Sequence, residues 1–180
     1  MPRLTLVGYR CSGKSAVASA LARHLACSWT DADDVLEREA GMSIADFITA
    51  QGEPAFRDLE SALLPRLLEM EAGIVATGGG VVLREANRRI LKDWARPVIW
   101  LSAPVSVIRA RLAADPNSVT RRPSLAGGQA VDEVAEAIIR REPFYREVAD
   151  GMIDTAVDTP DRLACRIMGW LETERPEHIP

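Results

Sequence analysis

Lysine is almost missing from this chain. Lys14 and Lys92 are the only two, and the other twenty of the 22 basic residues are arginine. With 26 acidic residues the net charge is −4, which excludes a protein held on nucleic acid by bulk positive charge. So strong a preference for arginine also means that an arginine alone marks no site. Cysteine is scarce too: Cys11, Cys27 and Cys165 are isolated and form no C-x-x-C pair. An odd, unpatterned count excludes a disulfide framework and fits reduced thiols in a cytoplasmic protein. No apolar run approaches the length of a membrane span and no leader-like segment opens the chain, so no membrane partner is expected. What is present is ordinary for a globular protein. The 180 residues are 47% hydrophobic and 27% charged, enough for one α/β domain, residues 1–180, with a substantial core.

Against that background one stretch stands out. Gly8-Tyr9-Arg10-Cys11-Ser12-Gly13-Lys14-Ser15 fits G-x-x-x-x-G-K-[ST], the phosphate-cradling P-loop. Leu4–Val7 before it is apolar and β-prone, and Ala16–Ala22 after it is rich in helix formers. Strand, glycine turn and helix are the context the pattern needs. The glycines let the backbone turn its N–H groups inward, and the helix N-terminus adds its positive dipole end. Lys14 supplies a full charge for the β/γ-phosphates, and the Ser15 hydroxyl is placed to hold Mg²⁺. Cys11 lies inside the loop, where the dipole could lower its pKa, although a small residue at a variable position is the simpler reading.

Further along, strands are expected at 27–30, 73–77, 97–101 and 152–155. Helices are expected at 14–26, from about 34 through 39, 44–50, 55–71, 85–93, 105–113, 131–141 and 161–174. Gly41 closes one helix and Ser43 caps the next; Gly52 breaks the chain; Pro65 should kink or restart its helix, and Pro143 should interrupt another. Residues 114–128 carry Pro116, Pro123 and a glycine pair with little periodicity. A run of that kind in a compact domain suggests a lid. Alternating strands and helices imply a five-stranded parallel sheet flanked by helices on both faces, with ligand beyond the carboxyl ends of the strands. The P-loop, Asp31/Asp33 and Gly78-Gly79-Gly80 each follow an expected strand, so the fold should gather them at one edge.

These groups suit phosphoryl transfer, which needs charge neutralisation, alignment and somewhere for the acceptor's proton to go. Ser15 and Asp31 could hold Mg²⁺, and Asp33, if the backbone is still extended there, faces the same side and could position an acceptor hydroxyl. The bland alternative is that Asp31, Asp33 and Asp34 only cap a helix. The triple glycine reads as a backbone N–H receptor for an anion or a hydroxyl. Arg57 sits in a first helical turn, where a cation is unfavourable, yet Glu53, Asp58 and Glu60 are ordinary partners for it. Arg121 and Arg122, in the lid, and Arg140 and Arg141 are equally open to solvated roles. No N-K-x-D supports guanine recognition, no apolar strand ends in the lone Asp of motor ATPases, and the short length favours a small-molecule kinase.

From end to end the chain resembles shikimate kinases. The matching pieces are GYRCSGKS (8–15), TDAD (30–33), EPAFRDLE (53–60), VATGGGVVL (75–83), SAPVSVIRARL (102–112), RRPSLAG (121–127) and EPFYREVA (142–149). The 75–112 region is similar to the enterobacterial second isozyme. The resemblance implies a P-loop kinase fold with a small helical substrate-binding region at about 31–61 and a lid at about 114–128. It implies transfer of a phosphoryl group from ATP to the 3-hydroxyl of shikimate, on the route to chorismate. By the same resemblance Asp33, Lys14 and Arg122 are catalytic. ATP is held by Cys11, Ser12, Gly13, Lys14, Ser15, Ala16 and Arg122, and Mg²⁺ by Ser15 and Asp31. Shikimate is held by Asp33, Arg57, Gly78, Gly79, Gly80 and Arg141, with Glu60 orienting an arginine. A monomer without nucleic-acid or membrane partners is expected. Two departures stand out: the loop 156–160 lacks the arginine the family often places near adenine, leaving Arg109 or Arg111 to contribute, and Ala16 replaces a common Ser/Thr. A kinase of another hydroxy acid such as gluconate, or a non-catalytic ATP-binding regulator, is the alternative.

Overall fold

The computed structural model describes residues 4–69, 73–95, 97–115 and 131–174. Five strands, β1 (Leu4–Val7), β2 (Trp29–Asp31), β3 (Ile74–Ala76), β4 (Val98–Ser102) and β5 (Gly151–Asp154), form one sheet in the order β2-β3-β1-β4-β5. Every pairing is parallel. Alternation along the strands explains the two-sided core. Leu4, Leu6, Ile74, Ala76, Ile99, Leu101 and Ile153 pack on one face with α1 (Lys14–His24) and α7 (Pro160–Glu174). Val7, Val98 and Trp100 face the other way, toward α3 (Ile44–Glu69), α4 (Glu85–Trp94) and α6 (Val131–Val148). The four residues of β1 are all buried, as a central strand covered on both faces requires.

Two further helices among the described residues flank the sheet, α2 (Ala32–Ala40) and α5 (Val105–Ala114). Gly41 closes α2 in the left-handed conformation (φ 67°), and Ser43 Oγ accepts the Asp46 N–H at 3.1 Å to start α3. Gly52, at φ 86° and ψ 160°, is the non-helical residue that breaks α3, as its sequence suggests.

The prolines behave differently from expectation. Pro65 lies within α3 without leaving helical dihedrals, and Pro143 lies inside α6, which runs on to Val148 instead of ending near Arg141. A proline forfeits one backbone hydrogen bond. Around Pro65 that loss is set against the burial of Leu63, Leu64, Leu67 and Leu68, and beyond Pro143 against Tyr145 and Val148. Burying even one such side chain contributes about 1.5–3 kcal/mol. Tertiary packing therefore outweighs the local signal.

Candidate active site

The carboxyl ends of β1, β2 and β3 meet at one edge, and the connections leaving them form the site. From β1 the chain enters the P-loop through Gly8 (φ 148°) and leaves it at Gly13 (φ 96°), the residue before α1. The sharp turn is closed by the Ser12 N–H donating to Tyr9 O at 3.1 Å. Lys14 is nearly buried, and its Nζ donates to Gly8 O (2.9 Å) and Tyr9 O (3.0 Å), so the ammonium lies across the cradle that its own loop makes. Cys11 does not carry an activated thiol. Burial pushes its pKa up, and Asp115 adds to the rise against the smaller opposing effects of Arg10, Lys14 and Arg111.

Asp31 ends β2 and caps α2: its Oδ1 accepts the Asp33 N–H at 2.9 Å. Its other oxygen accepts from Ser15 Oγ at 2.5 Å, which joins β2 to the head of α1. Burial raises the Asp31 pKa, partly offset by the Ser15 hydrogen bond. Asp31 thus caps α2 with one carboxylate oxygen and meets Ser15 of the P-loop with the other. Asp33, however, is not on extended backbone. It sits in the first turn of α2, so the helix turn sets its direction, and the pleat of a strand does not.

Beyond β3, Thr77 donates through both its N–H and its Oγ1 to Leu6 O at 3.0 Å, which ties the glycine turn to β1. The three glycines are there for close approach. A Cβ on Gly78 would lie 2.5 Å from Glu60 Oε1 and 2.9 Å from Asp33 Oδ1. One on Gly79 would lie 2.9 Å from the Arg10 backbone nitrogen in the P-loop, and one on Gly80 would overlap the Arg57 guanidinium. The carbonyl of Gly79 accepts Arg141 Nη1 at 3.1 Å and Tyr145 Oη–H at 2.6 Å. Asp33, Glu60, Arg57 and Arg141 therefore converge on three consecutive residues whose Cα atoms are about 3.8 Å apart.

The arginines are held in distinct ways. Arg57 donates Nη1 to Glu60 Oε2 (2.7 Å), and Nε and Nη2 to Glu53 Oε1 (3.3 and 3.0 Å). Burial works against its charge, yet Glu60 and Glu53 together keep its pKa above the ordinary arginine value. A guanidinium has five N–H donors, so these three hydrogen bonds leave one N–H on each Nη of Arg57 unused among the described residues. Arg141 lies with its Cζ 5.1 Å from the centre of the Tyr9 ring, and its buried Nε has no hydrogen-bond partner among the described residues. Asp58, considered as a partner for Arg57, instead pairs with Arg84 at 2.6 Å.

The structure adds groups that sequence patterns did not single out. Tyr145, on the same face of α6 as Arg141, holds the glycine turn. Asn87 Nδ2 donates to Val81 O at 3.0 Å and fixes the short 3-10 turn that follows the glycines. Thr155, fully buried just past β5, binds Ser12 O (3.0 Å) and Ser102 O (3.2 Å). Arg111 binds Thr155 O and Oγ1 (2.5 and 3.0 Å) and reaches Cys11 O at 3.4 Å, so it braces the P-loop from behind. Arg109 is exposed. One signal could have found Thr155: it follows the carboxyl end of a parallel strand, as do the P-loop and the glycine turn. Arg122 and the lid from residue 116 onward lie outside the described residues.

A phosphate cradle that shares its wall with a charged, glycine-floored recess is the arrangement of a P-loop phosphotransferase with a small polar acceptor. Comparison with known proteins narrows the class. The family profile described as Shikimate kinase matches residues 10–172. The shikimate kinase of Rhodopirellula baltica is 41% identical over 92% of this chain and 88% of its own. Shikimate kinase 2 of Escherichia fergusonii is 38% identical over 94% and 91%. Among solved structures, shikimate kinase from Acinetobacter baumannii in complex with shikimate aligns with a TM-score of 0.89, at 31% identity, over 97% of this chain and 95% of that one. The chain belongs to the shikimate kinase family.

Proposed function

We propose that this chain transfers the γ-phosphoryl group of ATP to the 3-hydroxyl of shikimate, through the residues gathered at the glycine turn. The observation that carries the reading is the convergence of Asp33, Arg57, Glu60 and Arg141 on Gly78–Gly80, against the wall of the P-loop. A carboxylate acceptor suits two guanidinium groups and a vicinal diol suits an aspartate. Asp33 accepts hydrogen bonds from the ring hydroxyls and takes the proton of the attacking one. The free end of Arg57 and the guanidinium of Arg141 grip the acid group. Glu60 and Glu53 keep Arg57 charged and aimed. Lys14 turns from its carbonyl partners to the β/γ-phosphates, where the α1 N-terminus and the loop N–H groups neutralise charge.

Ser15 and Asp31 fit Mg²⁺. They already share a 2.5 Å contact, they are oxygen donors, and the Asp31 carboxylate is partly desolvated. No cluster of three or more metal-ligating side chains occurs among the described residues, which agrees with an ion that takes most of its ligands from water and phosphate. Bound there, Mg²⁺ would spread the phosphate charge that the transfer builds up. Arg122 in the expected lid, and closure of that lid to exclude water, belong to the same proposal.

We further propose that the protein acts as a cytoplasmic monomer on dissolved substrates, without nucleic-acid or membrane partners. Its net charge of −4 supports this, as do its three cysteines, none of which forms a disulfide among the described residues. No helix among the described residues is long and apolar enough to cross a membrane. The test of the function is ADP release with ATP, Mg²⁺ and a panel of acceptors: turnover with shikimate and not with gluconate is expected, and the reverse would overturn the reading.

A further inference from the structure

Among the described residues the Gly79 carbonyl has two side-chain donors, Arg141 Nη1 at 3.1 Å and Tyr145 Oη at 2.6 Å, and both come from α6. They are four residues apart, so one helix face presents them together. The shorter bond is the tyrosine's. Tyr145 is almost fully buried and stacks on Trp100 with ring centroids 5.8 Å apart, so its hydroxyl has little freedom to leave. Arg141 is more loosely placed: the carbonyl of Gly79 is its one hydrogen-bond partner among the described residues, and its Nε has none.

We propose that Tyr145 is a positioning residue that releases Arg141 for the acceptor's carboxylate. The inference rests on the acceptor reading above. A buried carbonyl left without a donor costs about 1–3 kcal/mol. If Arg141 were the only donor to Gly79, each binding event would have to strip that carbonyl bare. With Tyr145 in place the carbonyl stays satisfied when the guanidinium swings to the ligand. The tyrosine thereby removes a penalty from acid binding without touching substrate. Burial keeps its phenol protonated at all working pH values, so the donor is always available.

The test compares wild type with Tyr145→Phe, which keeps the ring packing and leaves Arg141 to satisfy Gly79. Two acceptors are used, shikimate and its primary amide, whose ring hydroxyls are the same and whose carboxylate is gone. For shikimate the variant should show a KM raised about tenfold, which is roughly 1.4 kcal/mol, with kcat and the KM for ATP little changed. For the amide its kcat/KM should match that of wild type within about twofold. An equal fall for both acceptors would make Tyr145 a structural support of the turn and overturn the proposal; so would no change with either. Wild type that turned over no shikimate would overturn the acceptor reading itself, and is told apart by needing no variant.

Discussion

Arg57 and Glu60, three residues apart on α3, form a 2.7 Å ion pair whose side chains are only 11% and 4% exposed. The pair lies directly under Gly80 and Gly78, where side chains would have stood in any other sequence. A charge so poorly solvated is tolerated because its partner neutralises it, and the same confinement fixes where the remaining guanidinium donors point.

Replacing Glu60 by Gln should therefore damage both stability and acceptor binding. Breaking a buried pair from one side costs about 3 kcal/mol, reduced here because Glu53 still contacts Arg57. Urea unfolding should show the loss, and the KM for shikimate should rise while that for ATP stays near its wild-type value.

Asp33→Asn removes the proton acceptor and keeps the shape. The kcat for shikimate should fall by about 10²–10⁴, the range of a general base. Nucleotide binding measured by calorimetry should persist. Unchanged turnover would remove Asp33 from its assigned role.

Gly78→Ala inserts a methyl group between two carboxylates, 2.5 Å from Glu60 Oε1 and 2.9 Å from Asp33 Oδ1. Overpacking of this kind costs about 1–3 kcal/mol. The melting temperature should drop, and kcat/KM for shikimate should fall more than the affinity for ATP. A fully active, fully stable variant would contradict the close approach described here.

Thr155→Val tests the brace behind the P-loop. The hydroxyl links Ser12 O, Ser102 O and Arg111. Its loss strips Ser12 O of that donor at a cost of about 1–3 kcal/mol, while Ser102 O keeps the Thr155 N–H at 2.8 Å. Because the brace touches the P-loop and not the glycine recess, the KM for ATP should rise and that for shikimate should not. Equal effects on both would show that the brace serves the whole edge.

The Cys11 thiol offers a check by pH. Its pKa is raised above the usual 9.0 by burial first and by Asp115 second. A raised pKa means less thiolate at any given pH, so Cys11 should alkylate slowly at pH 8 and speed up only as pH rises past the ordinary thiol range. Peptide mass spectrometry should find exposed Cys165 modified first. Prior labelling of Cys11 at neutral pH would contradict the burial argument.

Much of this was legible before any coordinates. Turn chemistry is local, so Gly8–Ser15, the αL cap at Gly41 and the break at Gly52 could be read from single residues. Apolar runs separated by helical patterns were enough for a parallel sheet. The two prolines misled because their local cost was visible and the burial that offsets it was not. Whether extended backbone reaches Asp33 was not legible for a similar reason: strand ends are set by pairing partners, here β3, and a chain read alone does not show where pairing stops. The reading of the glycine turn as a receptor built of N–H groups concerns its backbone; what the sequence did not show is its packing, three positions kept clear for Asp33, Glu60, Arg57 and the P-loop backbone.

By itself the sequence determined the phosphate cradle, the order of strands and helices, and the family to which the chain belongs, because each rests on short-range patterns. The family resemblance singled out Arg57, Arg122 and Arg141 among twenty arginines; only the tertiary structure decided what Arg57 and Arg141 touch. Arg57 and Arg141 are 84 residues apart in a chain full of guanidinium groups. What distinguishes them is contact with neighbouring glycines and partial burial, and both depend on how α3 and α6 pack against the sheet.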